Sequence, residues 1–162
     1  MFDPTTMVGF HTWLSLIAIV AGVPVVQGLL AGRGSALWTN VFLVTAILTS
    51  VTGFLIPAAK ILPSHITGVV ALLILAAVLY ARYVRHLSGA WGAIYAGCMV
   101  ASLYLLVFVG LVQVFLKVPA ANRLAPTGSE PPFAFAQGLL LVIFVVLGYL
   151  AVRRARRFPL VA

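Results

Sequence analysis

Five side chains have both the chemistry and the placement to form a site: His11, His65, Gln113, Glu130 and Gln137. Two imidazoles with a carboxylate are a donor set for a divalent transition metal. Histidines from two facing helices can ligate haem axially. The same imidazoles and amides can hydrogen-bond a quinone or pass protons, the usual work of polar groups at membrane depth. The competing reading is structural: His11, Gln113 and Gln137 join helices through hydrogen bonds worth only about 0.6 kcal/mol each on average, and His65 lies in the interface beside its helix cap. Spacing does not choose between them. The chain has no H-x-x-E-H, no C-x-x-C-H and no two histidines one helical turn apart.

The elements that must carry these residues follow from composition. Hydrophobic residues make up 64% of the 162 and charged ones 7%, against about 25% charged in a soluble domain. So few polar groups cannot cover a soluble fold, and the alternative solvent is lipid. A helix needs about 20 apolar residues to cross the hydrocarbon core. Five runs qualify: 8–31, 37–56, 66–84, 91–116 and 133–152. Each ends at turn chemistry or charge, at "GRGS", Pro57, the second arginine of "ARYVR", "KVP" and "RRARR" in turn. Ser64 is the expected N-cap of the third run. Spanning strands need only about 10 alternating residues, whereas these runs are continuous. The expected fold is an all-α integral membrane bundle of five transmembrane helices, one domain over 1–162.

Lysine and arginine set the expected orientation. One side holds Arg33, Arg82, Arg85, Arg153, Arg154, Arg156 and Arg157; the other holds Lys60, Lys117 and Arg123. Seven against three puts the C-terminus in the cytoplasm and the N-terminus outside. The first ten residues carry no Lys or Arg, so the first helix is expected to be retained rather than cleaved as a signal peptide. The net charge of +8 then reads as a membrane-edge anchor at Arg153, Arg154, Arg156 and Arg157, in contact with the lipid bilayer and not with nucleic acid. All five candidate residues fall at the outer end, as do the only two side-chain carboxylates, Asp3 and Glu130. The loop "KVPAANRLAPTGSEPPF" is stiffened by proline and is expected to be ordered.

Other features read as packing. Ser15, Ala18 and Gly22 share a small face with His11, and Ala93, Gly97 and Ala101 mark a close helix contact, within the bundle or with a partner chain. Pro24 is expected to kink the first helix. Thr45, Thr49 and Thr52 form a hydroxyl stripe expected to bond back to the backbone; an ion path is the rival reading. Trp13, Trp38 and Trp91 are interfacial anchors, and His86 faces headgroups. The single cysteine, Cys98, excludes an intrachain disulfide framework and lacks neighbours that would activate it.

The segments "TSVTGFLIP" (49–57), "LYARYVRHLSGAW" (79–91) and "QVFLKVPAANRLAPTGSEPPFAFAQ" (113–137) resemble a group of small uncharacterised proteobacterial inner-membrane proteins. That resemblance implies a multi-pass helical protein of the bacterial inner membrane and transfers no catalytic residue. Members often carry Asn within the fourth helix where this chain has Leu106, a departure that weighs against a polar site at mid-membrane. The expected function is an accessory or interaction subunit without catalysis of its own, partnered by other membrane subunits or by itself. A haem- or quinone-binding redox protein is the alternative, and a small-solute or ion channel the third reading.

Overall fold

A computed structural model describes residues 3–56 and 63–158. Pro57 and Lys60 lie outside the described residues. Six helices follow in chain order: α1 Met7–Ala31, α2 Ala36–Leu55, α3 Pro63–Leu79, α4 Ala90–Lys117, α5 Pro119–Asn122 and α6 Pro131–Arg157. There is no strand among the described residues. Five of the helices, all but the four-residue α5, are long and apolar enough to cross a membrane. As described, α3 includes Ser64, which therefore lies within the helix and not at its cap.

α4 sits at the centre, against α1, α3 and α6, while α1 also touches α2 and α6, and α2 touches α3. In the most apolar stretch of α1, 39% of residues are buried; the figures for α3 and α6 are 17% and 11%. α3 and α6 are therefore the edge helices, open along most of their length. The core where α1, α2, α3 and α4 meet is apolar and closed, with Phe42, Met99, Val78 and Val100 fully buried. Small residues let the backbones approach: Ala18 and Ala21 are buried on α1, and Gly97 of α4 accepts Val152 of α6 against its bare Cα. Gly97, the middle of the Ala93–Gly97–Ala101 stripe, thus packs α4 on α6 within the bundle.

The ends of the helices are fixed by local hydrogen bonds. At the start of α1 the Thr6 hydroxyl accepts from the Gly9 amide at 3.1 Å and donates to the Asp3 carbonyl at 2.9 Å. Asp3 itself accepts from the Thr5 amide and hydroxyl, and these bonds, the hydroxyl first, hold its carboxyl below the usual carboxylate range. α1 continues unbroken through Pro24. α3 closes in a π turn over Tyr80–Val84, where the Arg85 amide reaches the Tyr80 carbonyl. His86 and Leu87 then both adopt left-handed φ angles, 47° and 55°, costly for residues with a Cβ. The Leu87 amide bonds to the Ala81 carbonyl at 2.9 Å and its side chain is buried, which holds the turn.

Candidate functional site

His11 lies one turn into α1, half-buried, with Nδ1 3.0 Å from the Thr52 hydroxyl of α2. The Thr52 hydroxyl has one hydrogen, and the short 2.7 Å contact to the Leu48 carbonyl uses it. With that hydrogen on the Leu48 carbonyl, the Thr52 hydroxyl accepts from His11, an assignment that puts the neutral ring's proton on Nδ1 and leaves Nε2 as a lone-pair acceptor. The ring rests on Gly53, where a Cβ would stand 3.4 Å from its Cε1.

His65, near the start of α3, stacks on Phe54 with centroids 5.7 Å apart and planes 23° from parallel. Both imidazoles therefore meet the last turn of α2. Thr52 and Gly53 carry His11 while Phe54 carries His65, and neighbouring side chains on a helix diverge by about 100°. The two rings approach α2 from different sides, each with its own neighbour.

Of the other three candidates, Gln137 and Glu130 are committed elsewhere. The Gln137 amide nitrogen donates to the Phe108 carbonyl of α4 at 3.3 Å, while its buried amide oxygen has no partner. Gln113 is half-buried on α4. Glu130 is the N-cap residue of α6 and is bound within its own loop. One carboxylate oxygen accepts from the Thr127 amide at 3.0 Å and hydroxyl at 2.9 Å; the other accepts from the Ser129 amide at 3.1 Å. Pro131 and Pro132 start the helix without N–H groups to satisfy. The loop is ordered further by α5, by the Asn122 side chain on the Phe115 carbonyl, and by the edge-on Phe115–Phe133 pair. One of two carboxylates in the chain is thus retained to tie a turn.

Among the described residues no three His, Cys, Asp or Glu side chains converge as a metal-binding group. The threonine stripe behaves largely as its position implies: Thr45 and Thr52 bond back to Val41 and Leu48, while the buried Thr49 hydroxyl has no partner. At the other end of the bundle Arg153, Arg156 and Arg157 are exposed. Arg154 turns inward instead and donates to the Ala31 carbonyl, the last of α1, at 3.2 Å. Nothing in the spacing of "RRARR" singles out that residue. The Thr52 partner of His11 was within the visible hydroxyl stripe.

Glu130 gives a pH test. The Thr127 amide, then the other donors of the turn, hold its carboxyl below the ordinary glutamate range. A lowered folded pKa adds stability that is present above the unfolded value of about 4.3 and is lost as pH falls through the folded one. Amide exchange over 123–130 is expected to quicken as pH drops below about 4, after correction for intrinsic rates, and Glu130→Gln is expected to remove the transition. A transition unchanged in the Gln variant contradicts the assignment.

The fold and these contacts define a class, the multi-spanning helical membrane proteins. The chain matches no protein-family model, no curated protein and no solved structure.

Proposed function

We propose that the chain is an accessory or interaction subunit of the bacterial inner membrane, without catalysis of its own, oriented with its arginine-rich end in the cytoplasm. The observation that carries this reading is the employment of its polar side chains. His11, Gln137 and Arg154 each bond across a helix contact, and Glu130 ties a loop. Groups committed in this way hold an architecture and are not poised for turnover. The core filled by Phe42, Met99, Val78 and Val100 favours a packed subunit over a channel. The seven-to-three arginine and lysine bias supports the orientation. α6 offers the surface for a partner, with Phe135, Val142 and Val146 more than half exposed. Extraction in mild detergent and identification of co-eluting chains tests the reading. A stoichiometric membrane partner is expected, and a monodisperse, partner-free monomer contradicts it.

The haem or quinone reading keeps one specific support, the acceptor nitrogen that the Thr52 bond leaves on His11. It is tested by the visible spectrum and lipid extract of the same preparation. A Soret band or a bound quinone lost in His11→Ala would establish it; their absence removes it. If His11 only bridges helices, Thr52→Val and His11→Ala are expected to lower stability by about 0.6 kcal/mol each, non-additively.

A further inference from the structure

We propose that the groove between α4 and α6 seats one acyl chain of an anionic phospholipid, with the phosphate held by Arg153 and Arg156. The groove has a volume of about 270 Å³ and is lined by Gly97, Ala101, Tyr104, Phe144, Gly148 and Tyr149 among others. Its walls are apolar and its floor is lowered by glycine and alanine, so a flexible chain fits where a branched side chain would not.

Length fixes the leaflet. From Leu141 to Tyr149 the groove runs along eight residues of α6, about 12 Å at 1.5 Å per residue. Half of a hydrocarbon core about 30 Å thick is about 15 Å. The groove therefore spans one leaflet, from mid-membrane toward the arginine end. Arg153 stands one turn beyond Tyr149 on the same face, and Arg156 four residues beyond Val152, which packs against Gly97. Helical side chains lean toward the N-terminus of their helix, which directs the Arg153 side chain toward the turn of Tyr149, at the arginine end of the groove.

Charge chooses the occupant. Arg153 and Arg156 are exposed, and neither takes part in any of the side-chain hydrogen bonds or cation–π contacts that engage Arg82, Arg85 and Arg154. The two side-chain carboxylates of the chain, Asp3 and Glu130, precede α1 and α6 and so stand at the opposite end. A second copy packed in parallel would bring arginine against arginine. No side-chain carboxylate among the described residues stands near these two arginines, and the groove beside the cations accepts hydrocarbon: an acyl chain and an anion on one molecule meet both.

Native mass spectrometry of the purified protein with phosphatidylglycerol or phosphatidylcholine of identical chains tests this. One phosphatidylglycerol is expected to be retained per chain, roughly thirtyfold over phosphatidylcholine, the ratio that follows from two cations acting on an anionic headgroup. Arg153→Gln is expected to cut that preference to roughly fivefold, the share of the remaining Arg156, whereas Arg33→Gln, the same charge change on the α1–α2 turn, leaves it. Gly148→Leu, which fills the groove, is expected to reduce both lipids. Melting of each variant in detergent confirms that the bundle is intact; should Gly148→Leu unfold, Ala101→Leu on the facing wall takes its place. Equal retention of the two lipids overturns the proposal, as does an equal response to Arg153→Gln and Arg33→Gln. A lipid-free dimer that the filled groove disrupts would assign the groove to a second copy, and overturns it too.

Discussion

Gly22→Leu is expected to abolish the native bundle, the largest effect of any single substitution considered. Gly22 is the point where α1 meets both α2 and α4. A Cβ there would stand 2.5 Å from a methyl carbon of Leu103 and 3.0 Å from the ring of Phe42. Phe42 is fully buried and Leu103 nearly so, so neither has open space to move into. Overpacking by a methyl alone costs about 1–3 kcal/mol, and the leucine adds three further carbons at the same place. Stability of a folded protein is only about 5–15 kcal/mol in total. In lipid the separated helices keep their apolar surroundings, so close packing at such crossings is what holds them together. Gly22→Ala should remain monodisperse with a lowered unfolding midpoint in detergent; Gly22→Leu should aggregate. Gly138→Leu is the control, since a Cβ at Gly138 meets nothing within 4 Å, and it should melt like the parent. A Gly22→Leu protein with the parental midpoint would contradict the packing described.

Gly32→Val is expected to destabilise by roughly 1–4 kcal/mol, summing two effects. Gly32 closes α1 in the left-handed region, at φ 69° and ψ 26°, where a residue with a Cβ loses about 1–2 kcal/mol and a β-branched one fits worst. A side chain there would also collide with the Arg154 guanidinium, which caps the end of α1 through the Ala31 carbonyl and packs over Phe158 with its central carbon 4.8 Å from the ring centroid. A cation at a helix C-terminus contributes about 0.3–1 kcal/mol, up to about 2 when partly buried. Arg154→Gln should therefore lower the unfolding midpoint while Arg153→Gln and Arg157→Gln leave it nearly unchanged. Equal responses from the three arginines would remove Arg154 from this role.

The spans were legible in the sequence because lipid imposes a length and a polarity that few other environments do. The first, second and fourth helices differ from the apolar runs by at most one residue at either end. The last differs more, running to Arg157 instead of Val152, because arginine continues an α-helix readily once the apolar face has ended. The candidate residues were legible as types but not as an assembly. Which face of a helix meets which neighbour depends on rotation about its axis, and in nearly uniform apolar runs no polarity pattern fixes that rotation. Hence Phe54 under His65, and the inward turn of Arg154, had no signal in the spacing. The role of Glu130 was equally hidden, since Thr127 and Ser129 become its donors only when the loop curls into a turn.

Sidedness labelling of single cysteines is the most direct test of five crossings with the chain ends on opposite faces. Cys98 is the native thiol, half-buried in α4, so Cys98→Ala supplies the background for Thr127→Cys, Arg33→Cys and Arg157→Cys. With a membrane-impermeant maleimide, the Thr127→Cys protein is expected to react in intact spheroplasts, and the Arg33→Cys and Arg157→Cys proteins only after permeabilisation. Labelling of Thr127→Cys and Arg157→Cys from the same side would contradict the five-span topology and everything placed at either end of it.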